Sequence, residues 1–167
     1  MNYNAFENLR DDADYRTQEH MERTFRSAVV EHEGGPRTFN EHMDPKFVSC
    51  SWEKRGLVVW YDLRPWMLNQ SGIVHGGIIA ASCDIAMGML SRYMMAAEGC
   101  VTVQMQLQYL RPIPDGPGFF VRAELDKEGR NLFFLHARVY RGTSADDWKN
   151  SSADAKSLVV TASAEFM

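Results

Sequence analysis

The chemistry this sequence could perform is concentrated in the run Asn69-Gln70-Ser71-Gly72-Ile73-Val74-His75-Gly76-Gly77 and in one acid further on, Asp84. The run leads straight into an apolar segment with helical periodicity. Its adjacent glycines let a ligand approach the backbone closely, while the first N–H groups of a helix have no intrahelical acceptor. Such a helix start is an electropositive donor site. An acyl carbonyl set against it would have its developing oxyanion stabilised by a fixed N–H and the helix dipole, a contact often worth ~3 kcal/mol of barrier. A tight turn that only lets the helix pack is the alternative reading of the same glycines. Asp84 is the only formally charged side chain between Pro65 and Ser91. An unpaired carboxylate among such neighbours is costly, so a functional role competes with solvent exposure or pairing with Arg92.

Spacing constrains how these groups work together. Gly76 and Asp84 are eight residues apart on one helix, about 12 Å along its axis. One chain cannot set both on the same carbonyl. If both act on one substrate, the acid comes from a second, roughly antiparallel copy of the helix, as a two-fold homodimer would supply. Cys83 as nucleophile with His75 as base meets the same separation, and a Cys in an apolar helix is usually inert. His20, His32 and His42 lie in the charged N-terminal part and His136 alternates to the polar face of a strand, with no HExxH spacing, so no metal site is expected. The ten methionines read as flexible core filling.

The elements that must position these groups follow from periodicity. Met21, Phe25, Ala28 and Val29 recur at helical spacing before Gly34-Gly35-Pro36, which predicts an amphipathic N-terminal helix. Phe47–Glu53 and Leu57–Leu63 read as a hairpin. Ile78, Ile79, Ile85, Ala86, Met89 and Leu90 make the central helix apolar nearly all round, hence buried on most sides. From Val101 the period becomes two: Val101, Val103, Met105, Leu107 and Tyr109 alternate with Thr102, Gln104, Gln106 and Gln108, which places the latter set on a polar face. The same alternation recurs in Phe119–Leu125, Phe133–Val139 and Leu158–Phe166. The stretches 112–118, 127–131 and 142–155 carry turn chemistry. The expected fold is α+β, an antiparallel sheet of about six strands wrapped around one central helix, with an N-terminal helical extension over 1–45 and the main domain over 46–167.

With 167 residues, one domain is expected. A net charge of -4 and no Lys/Arg run give no field suited to nucleic acid. The charged N-terminus and the lack of a long uncharged apolar run predict a cytoplasmic protein with no membrane partner. Cys50, Cys83 and Cys100, an odd and scattered set, suggest reduced structural thiols.

Together, Asn69, Gly72, His75-Gly76-Gly77, Asp84 and the strand Val101–Leu110 followed by Arg111-Pro112 resemble the hotdog-fold thioesterases of the phenylacetate-degradation type. The likeness covers roughly 57–167 and leaves out the N-terminal helix. It implies hydrolysis of an acyl-CoA thioester with no cofactor, coenzyme A being part of the substrate. By the same resemblance the Gly76 N–H polarises the carbonyl, the partner subunit's Asp84 activates water or attacks, and His75 and Asn69 orient the carbonyl. Thr102 would hold the carboxylate or the water, with Gly72, Gly77 and Arg111 contacting substrate. A homodimer, extended in some cases to a dimer of dimers, would carry the sites at its interface. Two other readings share the scaffold: a dehydratase or hydratase, and a non-catalytic acyl-CoA-binding module.

Overall fold

The alternating segments pair into one antiparallel sheet because each has an apolar side to bury and short polar links between neighbours. The computed structural model describes residues 2–29, 38–97 and 99–167, so His32 and the expected stop at Gly34-Gly35-Pro36 lie outside the described residues. Two short 3-10 turns, Tyr3–Phe6 and Leu9–Asp11, precede helix α1, Gln18–Ala28, and a one-turn helix α2, Phe39–Met43. Strands β1, Lys46–Ser51, and β2, Gly56–Asp62, form the expected hairpin. Helix α3, Gly76–Met95, follows, then β3, Thr102–Tyr109, β4, Gly118–Glu128, and β5, Phe133–Gly142. Helix α4, Trp148–Ala153, and β6, Leu158–Phe166, complete the chain, and the sheet order is β1-β2-β4-β5-β6-β3.

Helix α3 lies on one face of this sheet, and the sheet does not bury it alone. Phe6, Leu9, Met21, Phe25 and Ala28 of the N-terminal extension belong to the same core as Ile79, Cys83, Leu90 and Tyr93 of α3 and Val121 and Val139 of the sheet. Tyr93 shows how the extension docks. Its ring meets Tyr15, His20 and Phe25 with centroids 5.6, 5.8 and 5.3 Å away, and its hydroxyl contacts His20 Nδ1 at 3.0 Å. Helix α1 is started by Thr17, whose side chain accepts the His20 N–H at 3.2 Å, a cap typically worth about 1 kcal/mol.

The opposite face of the sheet carries a second apolar cluster of Val58, Trp60, Phe120 and Tyr140, covered by Trp148. The stretch 142–155, expected as a turn, therefore contains a short helix whose single large apolar residue is its anchor. Trp148 lies 5.2 Å from Phe120 and 5.5 Å from Tyr140. Gly118 and Gly142 face each other across β4 and β5, and a Cβ on either would come within 2.7 Å of Trp60 or Phe120 atoms. Glycine there is what lets the Trp60 ring lie flat across the strands.

Strand β3 forms one edge. Its pairing with β6 slips between Thr102 and Gln104, so Thr102 sits opposite Phe166 while Met105, Leu107 and Tyr109 sit opposite Ala164, Ala162 and Val160. All of these β6 residues are buried toward α3. The extra residue at Val103 thus shifts Thr102 off the polar face where simple alternation placed it and aims it at the helix, which is the usual effect of a β-bulge.

Candidate active site

The loop before α3 is held by its own polar groups. Asn69 Oδ1 accepts the Ser71 and Ile73 N–H groups at 2.9 and 3.4 Å, and the Asn69 N–H donates to Ile73 O at 2.8 Å. Gly72 completes the turn with φ +70°, a left-handed conformation that favours glycine. The His75 and Val74 N–H groups then donate to Met67 and Ile113 carbonyls at 2.8 and 2.9 Å, which fixes the direction in which the helix begins.

His75 is the N-cap of α3. Its Nδ1 accepts the Gly77 N–H at 2.9 Å, so the neutral ring carries its proton on Nε2. A Cβ on Gly77 would sit 3.0 Å from that nitrogen, so the cap depends on a glycine at 77. The Gly77 N–H is consequently engaged within the chain. The Gly76 N–H, first in the helix, has no acceptor among the described residues, while the Gly76 carbonyl accepts the Tyr109 hydroxyl at 2.8 Å. Burial raises the Tyr109 pKa, aided by the neighbouring Cys83, which keeps it a donor.

Asp84 lies eight residues further along the same helix and is half-buried. The Thr102 hydroxyl donates to its Oδ1 at 2.6 Å, a bond that fixes the carboxylate's direction, and both residues line a cavity of about 230 Å³. Arg92 turns elsewhere, its Nε donating to Ala97 O at 3.3 Å and its guanidinium lying 4.9 Å from the Phe6 ring centroid. Arg111 is exposed, with one guanidinium nitrogen donating to Leu158 O at 2.9 Å. Among the described residues Asp12, Asp14 and His20 lie close enough to share a cation. His20 already has both ring nitrogens engaged, on Tyr93 Oη and on Asp12 Oδ2 at 2.9 Å, which explains the cluster as the docking of α1.

Cys83 sits beside Asp84 but points into the core, and burial, then the carboxylate, pushes its thiol up to about 12. Burial also raises Cys50, to about 11, and Cys100. At pH 7.5 the Cys50 thiolate fraction is then roughly three-hundredfold below that of an ordinary thiol near 8.5. All three thiols are expected to stay silent to a disulfide reagent such as DTNB for minutes in the folded protein and to react in full once it is denatured. One rapidly reacting thiol in the native protein would restore cysteine as a candidate nucleophile.

Residues 71–146 match the family model described as the thioesterase superfamily. A Saccharolobus solfataricus protein named as an esterase is 30% identical over 73 residues, 44% of this chain and 48% of the relative. Acyl-coenzyme A thioesterase THEM4 of Bos taurus is 31% identical over 70 residues, 41% of this chain and 27% of the relative. The chain thus spans about half the length of the first of these curated relatives and about a quarter of the second. Among solved structures, a phenylacetic acid degradation-related thioesterase-type protein of Ralstonia eutropha JMP134 superimposes with TM-score 0.64 at 23% identity, covering 86% of this chain and 98% of that one. The fold is the hotdog fold. A Streptococcus mutans UA159 protein solved bound to acetyl CoA has the same fold, with TM-score 0.61 at 22% identity, covering 81% of this chain and 94% of that one.

In this hotdog, Asn69, Gly72, His75, Gly76 and Gly77 come together at the start of α3, and Thr102 meets Asp84 at the helix middle. Arg111 stands apart, beyond the end of β3. Two side chains at the site were not singled out from sequence. Tyr109 ends the apolar row of β3 and differs from Leu107 only by needing a partner for its hydroxyl, which is the one available signal. Phe6 lies 79 positions from Ile85 in sequence, and no periodicity connects them.

Proposed function

We propose that this protein is an acyl-CoA thioesterase working as a homodimer in the cytoplasm. The observation that carries the reading is the Asp84–Thr102 pair, a carboxylate held at a cavity by a 2.6 Å hydroxyl bond on a helix whose first N–H, at Gly76, has no acceptor among the described residues. The thioester carbonyl would rest on the Gly76 N–H of one subunit. Asp84 of the other would take a proton from water as the water adds to the carbonyl carbon, or would itself add to give an anhydride that water then hydrolyses to free acid and Asp84. Collapse then breaks the C–S bond, and the CoA thiolate leaves and picks up a proton.

The dimer is supported by the edge strand β3. Val101, Val103 and Tyr109 are 59, 50 and 53% exposed, although alternation marks them as packing residues. An unpaired edge bearing apolar side chains is a template for a second strand. Pairing β3 with its two-fold copy would cover them and bring two antiparallel α3 helices side by side, setting Asp84 against the partner's helix start. His75 favours hydrolysis over dehydration, because its Nδ1 is taken up by the Gly77 N–H. Arg111, exposed at the strand end, is suited to a CoA phosphate.

The test is release of free thiol from acyl-CoA substrates, followed with a thiol-trapping dye. Saturable release at rates well above the uncatalysed hydrolysis is expected. Saturable binding with the thioester left intact would replace the catalytic reading with that of a binding module.

A further inference from the structure

Building on the thioesterase reading, we infer that the acyl tail lies between α3 and the N-terminal extension and that Phe6 is the wall that ends it, making the enzyme selective for short acyl groups. The cavity that begins at Asp84 and Thr102 continues past Ile85, Gly88 and Met89 to Phe6. Asp84, Gly88 and Arg92 stand four residues apart on one helix face, so the path from the carboxylate to the Arg92–Phe6 pair is about 12 Å. At the carboxylate end the lining is polar and suits a thioester. Beyond it Ile85, Met89, Phe166 and Phe6 supply apolar surface, while Asn40 and the Arg92 guanidinium stacked on Phe6 add polar groups to the lining.

Phe6 is fixed from several sides. It is 2% exposed, packed edge-on against Phe25 with centroids 6.1 Å apart, and covered by the Arg92 guanidinium. The 3-10 turn that carries it is capped by Asn2, whose N–H donates to Ala28 O at 2.8 Å and whose Oδ1 accepts the Asn4 N–H at 3.2 Å. A wall held this way does not swing aside for a longer tail. Gly88 provides the room along the path. An added Cβ there would make only an ordinary 3.5 Å contact with Phe166, so a methyl group fits and would occupy space now left to the ligand.

Volume sets the scale. An apolar cavity of about 150 Å³ takes up benzene, six carbons. A cavity of about 230 Å³ therefore holds roughly nine carbons of similar packing.

The experiment is a series of saturated straight-chain acyl-CoAs from butanoyl to hexadecanoyl, with kcat/KM measured for the wild type, Phe6→Ala, Phe6→Leu and Gly88→Ala. The wild type is expected to peak at or below about eight carbons and to fall at least tenfold by twelve. Phe6→Ala, and less strongly Phe6→Leu, should raise the dodecanoyl-to-hexanoyl ratio by about tenfold, whereas Gly88→Ala should lower it. The two sites thus push in opposite directions, which loss of folding in one variant cannot imitate. An unchanged length preference in active variants at both sites would overturn the Phe6 wall while leaving the thioesterase reading in place. No thiol release by the wild type from any member of the series would withdraw both.

Discussion

Asp84→Asn is expected to lower kcat for thiol release by about a thousandfold or more, with the melting temperature and the dimer unchanged. General-base assistance is typically worth 10²–10⁴-fold. An amide keeps the shape of the carboxylate and can still accept the Thr102 hydroxyl through its oxygen, so the 2.6 Å contact and the local packing survive. What it loses is the ability to take a proton or to attack a carbonyl. Because the group acts on the reacting centre, kcat and kcat/KM should fall together while the affinity for acyl-CoA stays near that of the wild type. A variant retaining a tenth of the wild-type turnover would remove Asp84 from the reaction.

Gly76→Pro is expected to cost about 10²–10³-fold in kcat, the effect of removing one oxyanion donor. Proline is well tolerated at the first position of a helix, and the preceding residue, His75, already has φ −62° and ψ 134°, the extended backbone that proline demands of its neighbour. An added Cβ at 76 would come no nearer than 3.4 Å to the Tyr109 hydroxyl and 3.5 Å to its ring. The substitution therefore deletes an N–H and little else. Its larger use is in combination. In a dimer of one Asp84→Asn subunit and one Gly76→Pro subunit, a site built across the interface gets both good groups once and both defects once. Random pairing of the two variants makes half the dimers mixed, each with one intact site, so about a quarter of wild-type activity should return from two nearly inactive parents. If Asp84 and Gly76 of the same chain acted together, every site in the mixture would carry a defect and activity would stay at the level of the parents.

How far this protein was legible depended on the range of the interactions involved. The strands β2, β4, β5 and β6 follow from alternation alone, because a half-buried strand repeats every two residues. The buried helix follows from the all-round apolarity of 76–95, and Asp84 stands out because no other charge occurs between 65 and 91. The turn through Asn69 and Gly72 and the cap at His75 are also local, since every partner lies within four residues. By contrast, the helix in 142–155 was hidden because its reason for folding is Trp148 finding Phe120 and Tyr140 on other strands.

The sequence by itself determined the elements of the proposed site, a donor-rich helix start and a lone acid about 12 Å further along, a spacing at which the two can share one substrate only across two copies of the chain. Only the tertiary structure decided where Thr102 points. Alternation sends it outward with Gln104, and the slip at Val103, set by pairing with β6, turns it onto Asp84. Tertiary structure likewise brought Phe6 to the far end of the Asp84 cavity and the Tyr109 hydroxyl to the Gly76 carbonyl. The physical reason is the same in each case: side-chain periodicity is a property of one segment, whereas a bulge, a cavity wall or a cross-element hydrogen bond exists only after two segments have met.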